Sequence, residues 1–164
     1  MNYEEAMNFI QNTNKFGSVL GLDNIKELLE RLGNPQDQLK VVHIAGTNGK
    51  GSVCAFWDSM LRMSGKKTGL FTSPHLITTT ERMKINGQNI SEEAFTEIFE
   101  ELLHVVKARE KAGHLHPTYF EWLYLMAMLW FGRQGIEYGI IETGLGGRLD
   151  ATNHIAQPVL TIIT

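Results

Sequence analysis

The residues most able to do chemistry lie in a short glycine-rich segment between an apolar run and an amphipathic run. Its sequence is Gly46-Thr47-Asn48-Gly49-Lys50-Gly51-Ser52. Glycines let the backbone bend so that successive N–H groups point at phosphate oxygens, and a helix that starts there adds partial positive charge. Lys50 would neutralise the same phosphates. The spacing departs from the common G-x-x-x-x-G-K-[ST] loop, because Gly51 separates Lys50 from Ser52. The segment predicts a phosphate-binding loop; the alternative is a glycine-rich turn with a solvated lysine.

Two oxygen-bearing side chains follow other apolar runs that read as strands. Glu142 lies near the end of the run at 138–143, and Ser73 follows the run at 68–72. In open α/β sheets, ligands bind just beyond the carboxyl ends of the strands. Carboxylate and hydroxyl oxygens suit Mg²⁺, a hard cation that also bridges phosphates. Glu142 and Ser73 are therefore candidate metal ligands. A strand-end salt bridge and a serine-proline turn are the respective alternatives.

The glycines after Glu142 do not fit the dinucleotide-binding fingerprint. In the run that starts at Gly144, Leu149 stands where G-x-G-x-x-G requires its third glycine. This disfavours an NAD-dependent oxidoreductase. The glycines instead indicate a tight backbone path beside a ligand. Arg148 and Asp150 in the same loop are either ligand contacts or a local ion pair.

Alternating helix and strand patterns predict the elements that must position these residues. The helix patterns cover residues 23–32, 52–64, 91–112 and 118–135. The strand patterns cover 41–45, 68–72, 138–143 and 158–164, with a hairpin over 83–90 around Asn86-Gly87. This alternation predicts a three-layer α/β domain of the P-loop type, with a mostly parallel sheet and helices on both faces.

Composition narrows the class of protein. A length of 164 residues suits one domain, and a net charge of -3 argues against a nucleic-acid binder held by bulk charge. The single cysteine, Cys54, excludes an internal disulfide framework and favours the cytoplasm. The most apolar stretch, residues 119–131, contains Glu121 and is shorter than the about 20 residues that span a bilayer, so we expect a buried helix and no membrane association.

Five segments together resemble a known family. They are GTNGKGS at 46–52, TSPHL at 72–76, ERMKING at 81–87, TYFE at 118–121 and IIETGLGGRLDATN at 140–153. In this order they are similar to the N-terminal part of the folylpolyglutamate synthase/dihydrofolate synthase family, which is related to the Mur peptide ligases. The resemblance extends the fold expectation to a domain like the central domain of Mur ligases.

The resemblance implies an ATP-dependent amide ligase that needs Mg²⁺. ATP would phosphorylate a carboxylate of dihydropteroate or a folate, and the amine of L-glutamate would displace the phosphate. Residues 46–52 would hold the ATP phosphates, with Lys50 catalytic, and Ser73 and Glu142 would bind the metal. The implied pterin pocket consists of Thr118, Tyr119, Phe120, Leu149, Asp150 and Ala151. Phe120 would offer a flat apolar face, and Asp150 an acceptor for pterin N–H groups.

We expect residues 1–164 to be an incomplete ATP-binding domain, because the sequence stops inside an apolar strand pattern. A C-terminal glutamate-binding domain would then be absent and the fragment inactive. The exposed strand would favour self-association of the fragment, whereas the full-length protein is expected to be a monomer. A Mur-type peptide ligase and a non-catalytic nucleotide-binding module remain as alternatives. The sequence does not separate dihydrofolate synthase from folylpolyglutamate synthase activity.

Overall fold

One sheet organises the computed structural model, which describes residues 1–13 and 21–164. Its strands are β1 (Lys40–Ala45), β2 (Thr68–Phe71), β3 (Met83–Ile85), β4 (Gln88–Asn89), β5 (Tyr138–Glu142) and β6 (Leu160–Ile163). They lie in the order β4-β3-β2-β5-β1-β6. The four strands β2, β5, β1 and β6 are parallel, and the hairpin β3–β4 adds to β2 in antiparallel fashion. The prediction of a mostly parallel sheet is confirmed.

Helices cover both faces of this sheet. They are α1 (Tyr3–Asn12), α2 (Asp23–Arg31), α3 (Lys50–Met63), α4 (Glu92–Lys111) and α5 (Tyr119–Gln134), with short 3₁₀ helices at Pro35–Gln38, Thr79–Arg82 and Ala151–His154. Helix α3 packs against one face, whereas α5 packs against the other and is surrounded by α1, α2 and α4. The three-layer prediction is therefore confirmed.

Alternation along the strands separates two apolar clusters. Successive side chains of a strand point to opposite faces, so Phe71 and Ile141 join the large core around α5, while Leu70 and Ile140 join a small cluster under α3. Cys54 belongs to that small cluster, and burial raises the pKa of its thiol to about 12. The thiol is thus a packing group.

The local signals predicted most element boundaries within a few residues. Thr118 caps α5 in a capping box with Glu121, and Gly135 ends it in the left-handed conformation. Asn86 and Gly87 both have positive φ in the β3–β4 turn, as an Asn-Gly hairpin requires. Helix α1 was not predicted, although Asn2 and Glu5 form a capping box at its start.

Helix α5 is the predicted buried helix. All its side chains from residue 121 to 131 are buried, in contact with the sheet and with three other helices. Within the described residues, no helix is both long and apolar enough to cross a membrane.

Candidate active site

The glycine-rich loop joins the carboxyl end of β1 to the first turn of α3. Gly46 and Gly49 have φ of 139° and 81°, values that residues with a side chain rarely adopt. Thr47 and Asn48 between them are exposed, and Gly49 caps α3 without any side-chain hydrogen bond. Two side chains hold the loop, Lys50 through the Gly46 carbonyl and Thr164 through the Asn48 carbonyl. Both act on carbonyl oxygens, and no described side chain accepts from the loop's N–H groups. Such a helix start suits an anion, and phosphate binding by this loop stays a prediction.

Lys50 opens α3 two residues earlier than the apolar pattern predicted. Its Nζ donates a hydrogen bond to the carbonyl oxygen of Gly46, at 3.0 Å. The ammonium group therefore lies over the loop and not out in solvent, which argues against the alternative of a solvated lysine. An anion in the loop would meet both this charge and the partial charge of the helix N-terminus.

Glu142 lies at the carboxyl end of β5, beneath the first turn of α3. A Cβ placed on Gly51 would come within 4.0 Å of its Oε1. Its Oε2 accepts the backbone N–H of Ser73 at 2.9 Å, so the two candidate metal ligands are neighbours. The side chain is only 4% exposed. Burial raises the pKa of Glu142, while the Ser73 N–H, Lys50 and Arg82 counteract that rise.

The side-chain oxygens of Glu142 and Ser73 fit a divalent cation that also binds phosphate. Glu142 forms no ion pair within the described part of the chain, and burial of an unpaired carboxylate favours a cation beside it. The described residues contain no cluster of three or more His, Cys, Asp or Glu side chains suited to a metal. Mg²⁺ commonly takes one or two protein carboxylates and completes its shell with phosphates and water. Glu142 with the Ser73 hydroxyl suits this pattern.

A single cleft joins the phosphate loop to most of the predicted pterin pocket. Its volume is about 540 Å³. Lys50 and Ser73 line it. The lining also includes Gly21, Pro74, Arg82, Thr118, Phe120, Glu121, Gly144, Leu145, Leu149, Asp150 and Ala151. Five of the six predicted pterin residues line the cleft. Tyr119 does not; its ring lies 5.4 Å from the guanidinium carbon of Arg82.

The Phe120 ring forms an apolar wall of this cleft. It packs edge-to-face on Phe71, with ring centroids 5.7 Å apart. Gly144 approaches the ring so closely that a Cβ there would lie 2.6 Å from two of its carbons. The tight backbone path predicted from the glycines is thus a path past Phe120. Leu145 and Leu149 leave further apolar surface exposed nearby.

Asp150 organises the loop that follows β5. Its Oδ1 accepts the N–H groups of Gly144 and Leu145, at 3.1 and 2.9 Å. Its Oδ2 accepts the N–H and hydroxyl of Thr152, at 3.0 and 2.6 Å. These four donors match the about four lone-pair sites of a carboxylate. The suggested ion pair with Arg148 does not form in the described structure, and the role of Asp150 as an acceptor for a ligand stays a prediction.

A buried polar chain behind the cleft was missed by the sequence reasoning. His43 Nε2 lies 2.8 Å from Thr152 Oγ1 and 3.1 Å from Thr143 Oγ1. Since the Thr152 hydroxyl donates to Asp150, it must accept from His43 Nε2–H. Burial lowers the pKa of His43, and the negative charge of Asp150 opposes this shift. These hydrogen bonds link β1, just before the phosphate loop, to Thr143, the residue after Glu142. In the sequence, the one sign of this polar network was a histidine, His43, inside an apolar strand pattern.

The comparisons point to one group of proteins. The chain is 42% identical over 163 residues to the dihydrofolate synthase/folylpolyglutamate synthase of Bacillus subtilis, covering 99% of this chain and 38% of the relative. It superposes on a folylpolyglutamate synthase from Thermotoga maritima with a TM-score of 0.92 and 37% identity, covering 98% of this chain and 37% of that one. No protein-family model matches the chain.

Some of the matching structures contain ligands. A bifunctional folylpolyglutamate synthase/dihydrofolate synthase with Mn, AMPPNP and L-glutamate bound matches with a TM-score of 0.87 and 34% identity, covering 99% of this chain and 38% of its own. Others hold AMPPCP with folate, or ADP with DHPP. The chain therefore spans 37–40% of the length of these relatives.

Proposed function

We propose that this chain, whose homologues and structural neighbours are folylpolyglutamate and dihydrofolate synthases, forms the ATP-binding part of a cytoplasmic ligase that joins L-glutamate to dihydropteroate or a folate. The observation that carries the proposal is the shared cleft. One cavity places Lys50 and Ser73 beside Phe120 and the Asp150 loop. A nucleotide phosphate and a flat aromatic acid can therefore meet in it.

The chemistry has two steps. A carboxylate oxygen of the acid attacks the terminal phosphorus of ATP, so that an O–P bond forms and ADP leaves. The amine of glutamate then attacks the acyl carbon, a C–N bond forms, phosphate departs with the former carboxylate oxygen, and the nitrogen releases one proton to phosphate or water. Phosphoryl transfer depends mainly on positioning and charge neutralisation, which are what fixed N–H groups and cations provide.

The residues of the phosphate site divide these tasks. The backbone of residues 46–52 binds the phosphates at the N-terminus of α3, and Lys50 turns from the Gly46 carbonyl to the phosphoryl oxygens. Ser73 and Glu142 would hold a divalent cation, which supplies further neutralisation when bound. The N–H of Ser73 keeps the Glu142 carboxylate oriented.

The residues of the aromatic pocket position the acid. Phe120 provides the flat wall, and Thr118, Leu149 and Ala151 surround it. Asp150 fixes the backbone of Gly144 and Leu145 against Phe120, which keeps the pocket open at a defined width. The pterin-acceptor role of Asp150 needs one of its present hydrogen bonds to be shared with the ligand.

We propose that the remainder of a longer protein supplies the glutamate-binding domain. The support is that the chain spans about 38% of its relatives. The chain alone should then bind nucleotide but show no glutamate-dependent ADP release, because near-attack geometry contributes about 7–11 kcal/mol that a partial site lacks. The edge strand β6, where Ile163 is 82% exposed, also supports self-association of the isolated chain. Its mass in solution checks this last point.

Nucleotide binding tests the proposed function directly. Calorimetric titration of the chain with AMPPNP and Mn²⁺ should show binding that Lys50→Ala weakens and that Lys107→Ala, on the exposed face of α4, leaves unchanged. In a longer protein that contains the chain, ATP should yield ADP and phosphate only with glutamate and the acid present. Release of AMP and pyrophosphate would reject the acyl-phosphate route.

A further inference from the structure

Arg82 is a buried cation that lines the cleft, and none of the described carboxylates lies within salt-bridge distance of it. It is 8% exposed and ends the 3₁₀ helix that precedes β3. It forms no ion pair with any carboxylate of the described residues. Arginine is almost never fully buried unless it is paired. Glu142 interacts with Arg82 through space without bonding to it, so the lack of a hydrogen-bonded carboxylate among the described residues is informative.

The other deeply buried arginine shows the contrast. Arg109 is 2% exposed and does not line the cleft. Its guanidinium donates to Glu27 Oε2 at 2.7 Å and to Asn24 Oδ1 at 2.9 Å. Arg109 thus has a structural role, and the carboxylate of Glu27 pairs with it. Arg82 has the burial of Arg109 but no such partner.

Two contacts fix the plane of the Arg82 guanidinium. Its Nε donates to His75 Nδ1 at 2.9 Å, and its carbon lies 5.4 Å from the Tyr119 ring centroid. The Arg82 carbonyl also accepts the N–H of Thr72, directly before Ser73. These contacts occupy the Nε atom of Arg82 and the face of its guanidinium group that lies toward the Tyr119 ring. The terminal amino nitrogens have no hydrogen-bond partner within the described residues, so they are available to the cleft.

The other charged groups in the cleft already have partners. The Asp150 carboxylate accepts four hydrogen bonds, and Glu121 Oε2 accepts the N–H of Thr118 at 2.8 Å. Lys50 lies on the phosphate loop. Arg82 is left as a preoriented cation between Ser73 and the aromatic pocket. The fork of a guanidinium matches the two oxygens of a carboxylate.

We propose that Arg82 binds the carboxylate of the acid substrate, the group that accepts the phosphoryl group, and so selects carboxylic acids and positions them beside the phosphate loop. The inference rests on the proposed function and deepens it. His75 and Tyr119 act through Arg82 as positioning residues. This also gives Tyr119 a place in the site although it does not line the cleft.

The test compares pteroate with its carboxamide, which has nearly the same shape but no charge. Binding of both to the chain is measured by calorimetry, together with binding of AMPPNP. Wild type should bind pteroate at least about tenfold more tightly than the carboxamide, as expected for charge-assisted hydrogen bonds. Arg82→Gln should bind the two equally, with AMPPNP affinity unchanged. Arg133→Gln, the same charge change on an exposed residue in the last turn of α5, should keep the wild-type preference.

Several results would overturn the proposal. Equal binding of pteroate and carboxamide by wild type would do so without any variant, and so would a preference that survives in Arg82→Gln. Loss of AMPPNP affinity in place of pteroate affinity would assign Arg82 to the nucleotide phosphates. If Arg82→Gln does not fold, Arg82→Lys, which keeps the charge but not the fork, should show a reduced preference. A wild type that binds neither pteroate nor AMPPNP would remove the proposed function itself.

Discussion

Two loops border the cleft, and they take their shapes from different sources. The phosphate loop at 46–49 is shaped by backbone conformation: two glycines adopt positive φ, and its central side chains are exposed. The loop at 144–150 is shaped by a side chain. The buried carboxylate of Asp150 gathers donors from Gly144, Leu145 and Thr152.

The difference separates two ways to build a binding site. A loop made by glycines leaves its N–H groups free for a ligand, because no side chain uses them. A loop made by a carboxylate has used its N–H groups internally and offers a rigid wall instead. The first loop suits a phosphate and the second suits a flat apolar ring. Four experiments can break or sharpen this comparison.

The largest effect should come from Asp150→Ala. The change removes the acceptor of four hydrogen bonds and leaves the two buried donors of Thr152 without partners, each costing about 1–3 kcal/mol. We therefore expect a loss of about 4 kcal/mol in the free energy of unfolding. Thr47→Ala in the other loop should change it by less than about 0.5 kcal/mol, because that side chain is exposed. Urea denaturation measures both. A similar loss for both variants would erase the distinction between the loops.

Lys50→Ala should act on chemistry and not on stability. The ammonium group makes one hydrogen bond, to the Gly46 carbonyl, and the Thr164 hydroxyl holds the loop independently through the Asn48 carbonyl. In the longer ligase, kcat/KM should fall by about 100-fold or more, the size of effect seen when one charge-stabilising group is lost. Unfolding of the chain should be nearly unchanged. Turnover close to wild type would remove Lys50 from the phosphate site.

Acid should lower the free energy of unfolding through a histidine beside the loop that Asp150 shapes. His154, in the 3₁₀ helix after Asp150, contacts the Tyr124 hydroxyl at 2.8 Å, and burial lowers its pKa to about 4. The unfolded chain titrates near 6.5, so between pH 6.5 and 4 it binds the proton that the fold excludes. Stability is therefore fully present above about pH 6.5 and should fall by about 3 kcal/mol as the pH drops through that window.

The control for this pH dependence is a pair of histidine variants. His154→Gln should flatten the fall in unfolding free energy between pH 6.5 and 4, whereas His104→Gln on the exposed side of α4 should leave it intact. An unchanged slope in His154→Gln would show that other groups cause the acid sensitivity.

The smallest effect should come from Glu142→Gln. The amide keeps the shape and can still accept the Ser73 N–H, but it removes the charge beside the phosphate loop. Mn²⁺ affinity in the presence of AMPPNP should weaken by about tenfold, in the range for loss of one interaction at a metal site. Glu97→Gln, exposed on α4, serves as the charge-matched control. Equal Mn²⁺ titrations for both variants would take Glu142 out of the metal site.

Local physics made much of the molecule predictable. The strand before the phosphate loop, the capping box of α5 and the Asn-Gly hairpin each depend on residues a few positions apart. Backbone conformation at glycines is equally local. The phosphate loop was therefore predicted in place, with an error of two residues at the start of α3. That Glu142 meets Ser73 followed from the rule that carboxyl ends of parallel strands share one edge.

What the sequence did not determine are the partners of buried polar groups. His43 contacts Thr152, which lies 109 residues further along the chain. Arg82 contacts Tyr119, although the strand pattern did not predict the position of the segment that carries Arg82. These contacts exist because the sheet order puts β5 between β1 and β2 and brings the segments after them together. A buried charge must find a partner or serve as a site, and which of the two applies depends on what else the fold buries beside it. Only the tertiary structure decides that, since the neighbours of Arg82 and Arg109 are set by packing and not by the residues next to them in sequence.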